Sequence, residues 1–243
     1  LRPMLQALNE LFGRMSTLLA SERRFTADAA HELRTPIAAI RTQAQVALAE
    51  TQDAPRRHAL VATLAGCDRA TRLVEQLLTL SRLDAGQTLP MQAVDLVALT
   101  RQVMADCAAS WLDKQQDVEF KAPSLTCTME GNATLISTVI RNLIDNASRY
   151  SPAHARIRVT LQVQSPELAC MTVEDSGPGM NEADLNRLGE RFFRVLGNDM
   201  PGSGLGWSIV RRVAEVHGAQ VHLARSSSLG GLLIEIHWPL KAR

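Results

Sequence analysis

The chain has 243 residues, enough for one large domain or two ordinary ones, and its 46% apolar content suits a protein that folds around a core. Its 26 Lys and Arg nearly balance 25 Asp and Glu, so bulk charge gives no reason to expect nucleic acid or an anionic membrane surface as a partner. Four scattered cysteines without a C-x-x-C pair, and six histidines that do not cluster with them, argue against a zinc site or a disulfide framework and favour reduced thiols.

Leu1, Leu5, Leu8, Phe12, Met15 and Leu19 alternate spacings of four and three, the signature of a helix that packs along a seam, and predict a coiled-coil-like stalk. The pattern continues through Ala49 and contains Phe25-Thr-Ala-Asp-Ala-Ala-His31-Glu-Leu-Arg-Thr35-Pro36. With about 100° per residue, Ala29, Leu33, Ile37, Ile40, Ala44 and Ala47 fall opposite His31, so the histidine points away from the apolar face. Thr35 shares its side, and Asp28 and Glu32 flank it. Pro36 has no N–H for the carbonyl of Glu32 and should weaken the helix there. This arrangement suits a reacting histidine; a solvated histidine on a charged helix face explains it equally well.

After Thr51-Gln-Asp-Ala-Pro55, the positions Leu60, Leu64, Cys67, Thr71, Val74, Leu78 and Ser81 restart the rhythm and complete a helical hairpin. Two helices alone bury two apolar seams poorly, so a parallel homodimer over residues near 15 to 86, closing a four-helix bundle, is expected. No apolar run reaches the length of a membrane span and the first residues lack a signal-peptide core, so the chain as given is expected to be soluble.

Helical periodicity stops at Asp84-Ala-Gly86, and a second domain is expected to begin near residue 90. Ile157, Val159, Leu161 and Val163 alternate with polar residues, as do Leu232, Ile234, Ile236 and Trp238, which reads as two half-buried strands. Leu168 to Val173 reads as a more buried strand, and 132–149 and 208–217 read as helices. The mixture fits an α+β sandwich with helices on one face of a mostly antiparallel sheet.

Within it, Asn142, Asn146 and Arg149 form one polar stripe. Carboxamide oxygens can ligate a hard cation such as Mg²⁺ and Arg149 could pair with phosphate, although an ordinary polar helix edge has the same pattern. Asp175-Ser-Gly177-Pro-Gly179 follows the buried strand. Asp175 is expected at a sheet edge, where its carboxylate can accept a hydrogen bond from an exocyclic amine; a plain turn would also explain the motif. Gly202-Ser-Gly204-Leu205-Gly206 precedes a helix and could cradle an anion or simply be a flexible loop. It matches neither a Walker A motif nor a Rossmann fingerprint. The stretch 189–201 combines Phe192, Phe193 and Arg194 with turn residues, either a mobile lid or a surface loop pinned by two aromatics.

In order and spacing these four segments resemble the H, N, G1/F and G2 boxes of bacterial sensor histidine kinases, over nearly the whole chain. The His31 segment especially resembles members that pair with winged-helix response regulators, including QseC-like sensors. The resemblance implies a multidomain protein: the end of a HAMP-like signalling helix at 1–20, an all-α dimeric four-helix-bundle (dimerisation and histidine phosphotransfer) domain at 21–88, and an α+β sandwich of the GHKL/Bergerat ATPase type at 89–243. It implies that His31 accepts the γ-phosphoryl group of ATP with Glu32 as general base, and that Thr35 positions water for a reverse, phosphatase reaction. Asn142 and Asn146 would hold Mg²⁺. Arg149, Tyr150, Asp175, Gly177 and Gly179 would bind the nucleotide together with Arg194, Gly202, Gly204, Leu205 and Gly206. The phosphoryl group would pass to an aspartate of a cognate response regulator, with no direct nucleic acid partner. The chain would be the cytoplasmic portion of an inner-membrane receptor, meeting the membrane only through preceding segments. Two positions depart from the family pattern: Arg149 stands where lysine is common, and Trp207 where a smaller aliphatic is usual. The alternatives are an ATPase clamp of the same fold, disfavoured because Asn142 replaces its water-activating glutamate, and a non-catalytic dimeric scaffold.

Overall fold

The computed structural model describes residues 2–86, 89–123, 126–188, 193 and 203–240. The chain divides into two compact units, Leu1–Leu78 and Thr79–Arg243.

The first unit is a helical hairpin. Helix α1 spans Arg2–Ala49 and continues through Pro36 without a break, because a single missing N–H leaves the remaining ladder of a long helix intact. Glu50 organises the turn, its Oε1 accepting from the N–H groups of Thr51 and Gln52, each at 3.0 Å. Helix α2, Asp53–Asp84, then returns; its last turns belong to the second unit. Ala47, Ala59 and Leu73 are buried, and Ile40 of α1 meets Gly66 of α2. Leu8, Phe12, Met15, Leu19, Ile37, Leu60, Leu64, Val74 and Leu78 stay exposed. A single hairpin therefore leaves an apolar seam open along both helices. No helix among the described residues is long and apolar enough to cross a membrane.

The second unit continues with β1 (Gln92–Asp95), α3 (Leu96–Asp113), β2 (Asp117–Lys121), β3 (Thr128–Gly131), α4 (Ala133–Tyr150), β4 (Arg156–Ser165), β5 (Leu168–Asp175), α5 (Glu182–Arg187), α6 (Gly206–Val216), β6 (Gln220–Arg225) and β7 (Leu232–Pro239). Strands β1 and β3 form an antiparallel pair. The main sheet has the order β2-β4-β5-β7-β6, parallel only between β2 and β4. Strand β7 alternates buried and half-buried residues throughout, as expected of a sheet covered on one face. Ile136, Val139, Ile140, Leu143 and Ile144 of α4, and Ile209, Val210 and Val213 of α6, are fully buried, as are Val159, Met171, Ile236 and Trp238 of the sheet. These residues form the core of an α+β sandwich, with α4 packed against both α3 and α6.

Two interactions fix α4 from outside the core. At its start, Asn132 caps the helix by accepting from the Leu135 N–H at 3.1 Å, while its own N–H donates to His217 Nε2 at 3.0 Å. The His217 Nδ1–H donates to the Val213 carbonyl at 2.8 Å, so His217 is the neutral Nδ1–H tautomer and ties the end of α6 to the start of α4. Burial lowers its pKa below the ordinary 6.5. A folded-state pKa below the unfolded one means the stability is complete above 6.5 and is lost as pH falls toward the folded value. Thermal scans should therefore show the second unit losing stability on acidification below 6.5, with a flatter dependence in His217→Gln. At its other end, α4 is held by Lys114, whose ammonium donates to the carbonyls of Ser148, Arg149 and Ser151 at 2.8, 3.2 and 3.4 Å. Cations at a helix C-terminus satisfy its orphan carbonyls.

Candidate functional site

In the first unit, α1 presents His31 and Thr35 one turn apart and exposed, with Asp28 and Glu32 half-buried beside them. The sequence-derived orientation of His31 away from the apolar stripe holds in the structure. An exposed imidazole is a nucleophile at neutral pH, and a carboxylate on the next residue is a ready proton acceptor.

In the second unit the motifs at 142–150, 175–179 and 203–206 come together on one side of the sandwich. The Asn142 side-chain amide donates to the Thr138 carbonyl at 2.8 Å, which turns its Oδ1 outward from the helix. That oxygen lies against Gly206: a Cβ added there would stand 2.7 Å from it, so any side chain at 206 must push the Asn142 carboxamide aside. Helix α6 begins at Gly206, and among the described residues its N-cap residue Leu205 makes no side-chain capping hydrogen bond. Ser203 Oγ accepts from the Leu205 N–H at 3.3 Å, and Gly204 has a left-handed φ of 67°. Asn146, Arg149 and Tyr150 follow on the half-buried face of α4.

Asp175 stands where a strand ends, at the edge of the sheet in the direction of the chain. It ends β5, the middle strand of the main sheet, where hydrogen bonds to β4 and β7 hold it on both sides. Strand order is set by pairings distant in sequence, so the local pattern carries no sign of this. Its Oδ1 accepts from the N–H of Gly177 at 2.8 Å and of Leu232 at 3.2 Å. Burial raises the Asp175 pKa above the ordinary 3.8, against the lowering effect of those two N–H groups. Beside it opens a cleft of about 550 Å³, lined by Arg149, Tyr150, Ser151, Pro152, Ser176, Gly177 and Pro178. Gly179, with φ of 70°, continues the loop.

Sequence reasoning missed Gly231, whose N–H donates to the Asp175 carbonyl at 3.1 Å and where any side chain would collide with the Asp175 carboxylate. The doublet Gly230-Gly231 ahead of an alternating strand was the available signal. Trp207 is buried in α6 and is not among the residues lining the cleft. Arg194 and Gly202 lie outside the described residues, as does Phe192; Phe193 is half-buried, with the Arg187 guanidinium 4.4 Å above its ring. Among the described residues no group of three or more His, Cys, Asp or Glu side chains is arranged to hold a metal ion. Of the two carboxamides, that of Asn142 has its Oδ1 against Gly206, and a carboxamide oxygen is a hard donor.

Two family models match the chain: His Kinase A (phospho-acceptor) domain over residues 21–86, and Histidine kinase-, DNA gyrase B-, and HSP90-like ATPase over residues 131–242. The chain is 43% identical over 98% of its length to Sensor protein QseC of Salmonella typhi, of which it spans 52%. It is also similar to the solved cytoplasmic segment of histidine kinase QseC, with 31% identity, a TM-score of 0.50, and coverage of 74% of this chain and 93% of that one. Acinetobacter baumannii histidine kinase AdeS shares the fold at 23% identity and a TM-score of 0.69, covering 86% of this chain and 98% of that one.

Proposed function

Because this chain belongs to the sensor histidine kinases and is QseC-like, we propose that it autophosphorylates His31 from ATP and passes the phosphoryl group to an aspartate of a response regulator. One observation supports the reading most: three motifs far apart in sequence meet where Gly206 abuts Asn142 and Gly177 abuts Asp175, Tyr150 and Ser151. In this reading Asp175 accepts a hydrogen bond from the adenine amine and Tyr150 walls the cleft. The start of α6 meets the phosphates together with Gly204 and Leu205, and with Gly202 and Arg194 beyond the described residues. Asn142 and Asn146 would hold Mg²⁺, which supplies charge neutralisation on the phosphates, and Arg149 adds a fixed cation. Residues 1–20 then continue a HAMP-like signalling helix, 21–88 form the phosphotransfer domain and 89–243 the ATP-binding domain. The exposed apolar seam of the hairpin is covered by a second copy in a homodimer. The chain is the cytoplasmic part of an inner-membrane receptor, and its regulator is of the winged-helix class.

The unprotonated ring nitrogen of His31 attacks the γ-phosphorus, the bond to the β-γ bridging oxygen breaks, and ADP leaves. The proton on the other ring nitrogen, made acidic by the new N–P bond, goes to the Glu32 carboxylate. In the forward relay the N–P bond breaks as an aspartate oxygen of the regulator takes the phosphoryl group. In the reverse activity Thr35 orients a water on the phosphoaspartate. Incubating the chain with γ-labelled ATP and Mg²⁺ should give an acid-labile, base-stable label that a receiver domain discharges; no label despite ATP binding would point to a non-catalytic scaffold.

Two variants separate the parts. Thr35→Ala should lose regulator dephosphorylation and keep autophosphorylation, since its hydroxyl takes no part in the attack on ATP; unchanged phosphatase rates would remove Thr35 from the scheme. Gly206→Ala suits a helix start, yet its methyl must displace Asn142 from its bond to Thr138. Nucleotide titration should show Mg²⁺–ATP affinity reduced on the order of tenfold, the scale of one lost hydrogen bond to a charged ligand, with the fold intact.

A further inference from the structure

Helix α4 does not close its own C-terminus. Its C-cap residue Ser151 is extended, with φ −92° and ψ 145°, and among the described residues no backbone N–H of the following loop turns back onto the last carbonyls of the helix. Those carbonyls are met by two side chains of the turn between α3 and β2. The Lys114 ammonium serves Ser148, Arg149 and Ser151. The Gln116 amide nitrogen lies 3.0, 3.3 and 3.1 Å from the carbonyl oxygens of Ser148, Ser151 and Pro152, and its Oε1 accepts from the Ser148 hydroxyl at 2.7 Å. Gln115 between them has a left-handed φ of 53°, uncommon for a residue with a side chain, and turns the chain there. Backbone bonds hold turn and loop together: the His154 N–H donates to the Lys114 carbonyl at 3.1 Å, and the Asp117 N–H to the Ala155 carbonyl at 2.9 Å.

What this clamp holds is one wall of the cleft. Arg149, Tyr150, Ser151 and Pro152 line it from this side, opposite Ser176, Gly177 and Pro178, while neither Lys114 nor Gln116 lines it. Orphan carbonyls at a helix end need partners, and a helix end without them frays. The wall therefore depends on side chains that stand behind it.

We propose that Gln116, together with Lys114, is a positioning residue of the nucleotide cleft: it holds the wall that carries Arg149 and Tyr150, and so sets what those two side chains contribute to binding. The proposal rests on reading the cleft as the ATP site.

Tyr150 is the one tyrosine of the chain, so 3-fluorotyrosine in the full-length chain places a single ¹⁹F probe on this wall. Without nucleotide, wild type should give a narrow line. Gln116→Met, similar in length but without the amide, should broaden or split it at a temperature where circular dichroism shows both proteins folded. Calorimetry then measures the consequence for ATP. Arg149→Met should weaken binding on the order of tenfold in wild type and by about threefold or less in the Gln116→Met background, whereas Asn142→Ala, away from the wall, should cost the same in both. Gln116→Glu keeps the acceptor for Ser148 and replaces only the donor; it should act in the same direction, and it decides the matter if the methionine variant does not fold. An unchanged ¹⁹F line, or Arg149→Met costing the same in both backgrounds, overturns the role of Gln116 and leaves the ATP site standing. Wild type that binds no nucleotide overturns the ATP reading and the proposal together.

Discussion

Asp175→Asn should abolish useful ATP binding while leaving the protein at least as stable as wild type. The two backbone N–H groups of Gly177 and Leu232 converge on Oδ1 and need an acceptor there. An asparagine meets that need only with its carbonyl oxygen in the Oδ1 position, which forces its NH₂ group into the place of Oδ2. In the proposed ATP site the atom offered to the adenine amine would then change from an acceptor to a donor, setting donor against donor. Losing a hydrogen bond to a charged group costs about 1.5–3 kcal/mol, roughly 10- to 150-fold in affinity, before any donor–donor repulsion is added. Stability moves the other way. Burial raises the Asp175 pKa, so the folded state holds the carboxylate's proton more tightly than the unfolded chain does. The associated stability is present below the unfolded pKa of 3.8 and is lost as pH rises through the folded value. At neutral pH the buried charge is a cost that function imposes, and asparagine removes it. Calorimetry of nucleotide binding beside thermal unfolding checks both halves; a variant that keeps wild-type affinity would place the adenine elsewhere.

His31→Gln should show the converse pattern: nucleotide binding unchanged and covalent label absent. His31 is exposed on α1, and glutamine is a good helix former, so the substitution disturbs neither packing nor backbone. Surface changes of this kind alter stability by no more than about 0.5 kcal/mol, and the residues proposed to bind ATP all belong to the second unit, so ATP affinity should be unchanged. Glutamine has no ring nitrogen to attack phosphorus, and no neighbouring side chain replaces it. Acid-labile label should fall to background, measured by electrophoresis under alkaline conditions. Residual label of the same chemistry in this variant would mean that another histidine is the acceptor.

The helices were legible in the sequence because their signal is local. The 4-3 spacing through Leu8, Phe12, Met15 and Leu19 suffices to draw one face, and that face is exposed in the single hairpin as an unpartnered seam should be. The exposure of His31 followed from the same arithmetic. The alternation at Ile157–Val163 and Leu232–Trp238 likewise marked β4 and β7. Sheet order was not legible, since nothing near Asp175 tells that β5 lies between β4 and β7, nor that β2 pairs in parallel with β4. The support behind the cleft was hidden for a related reason. Lys114 and Gln116 act on backbone carbonyls of 148–152, which carry no residue identity, and Gly231 acts by having no side chain beside Asp175.

The destination of the γ-phosphorus of ATP decides the function. Mass spectrometry of the chain after brief incubation with Mg²⁺ and γ-¹⁸O-labelled ATP, with alkaline handling and fragmentation that preserves N–P bonds, reads this directly. The labelled phosphoryl group should sit on the peptide containing His31, on its ring nitrogen. Labelled inorganic phosphate released from an unmodified chain, or the label found on another residue, would contradict it.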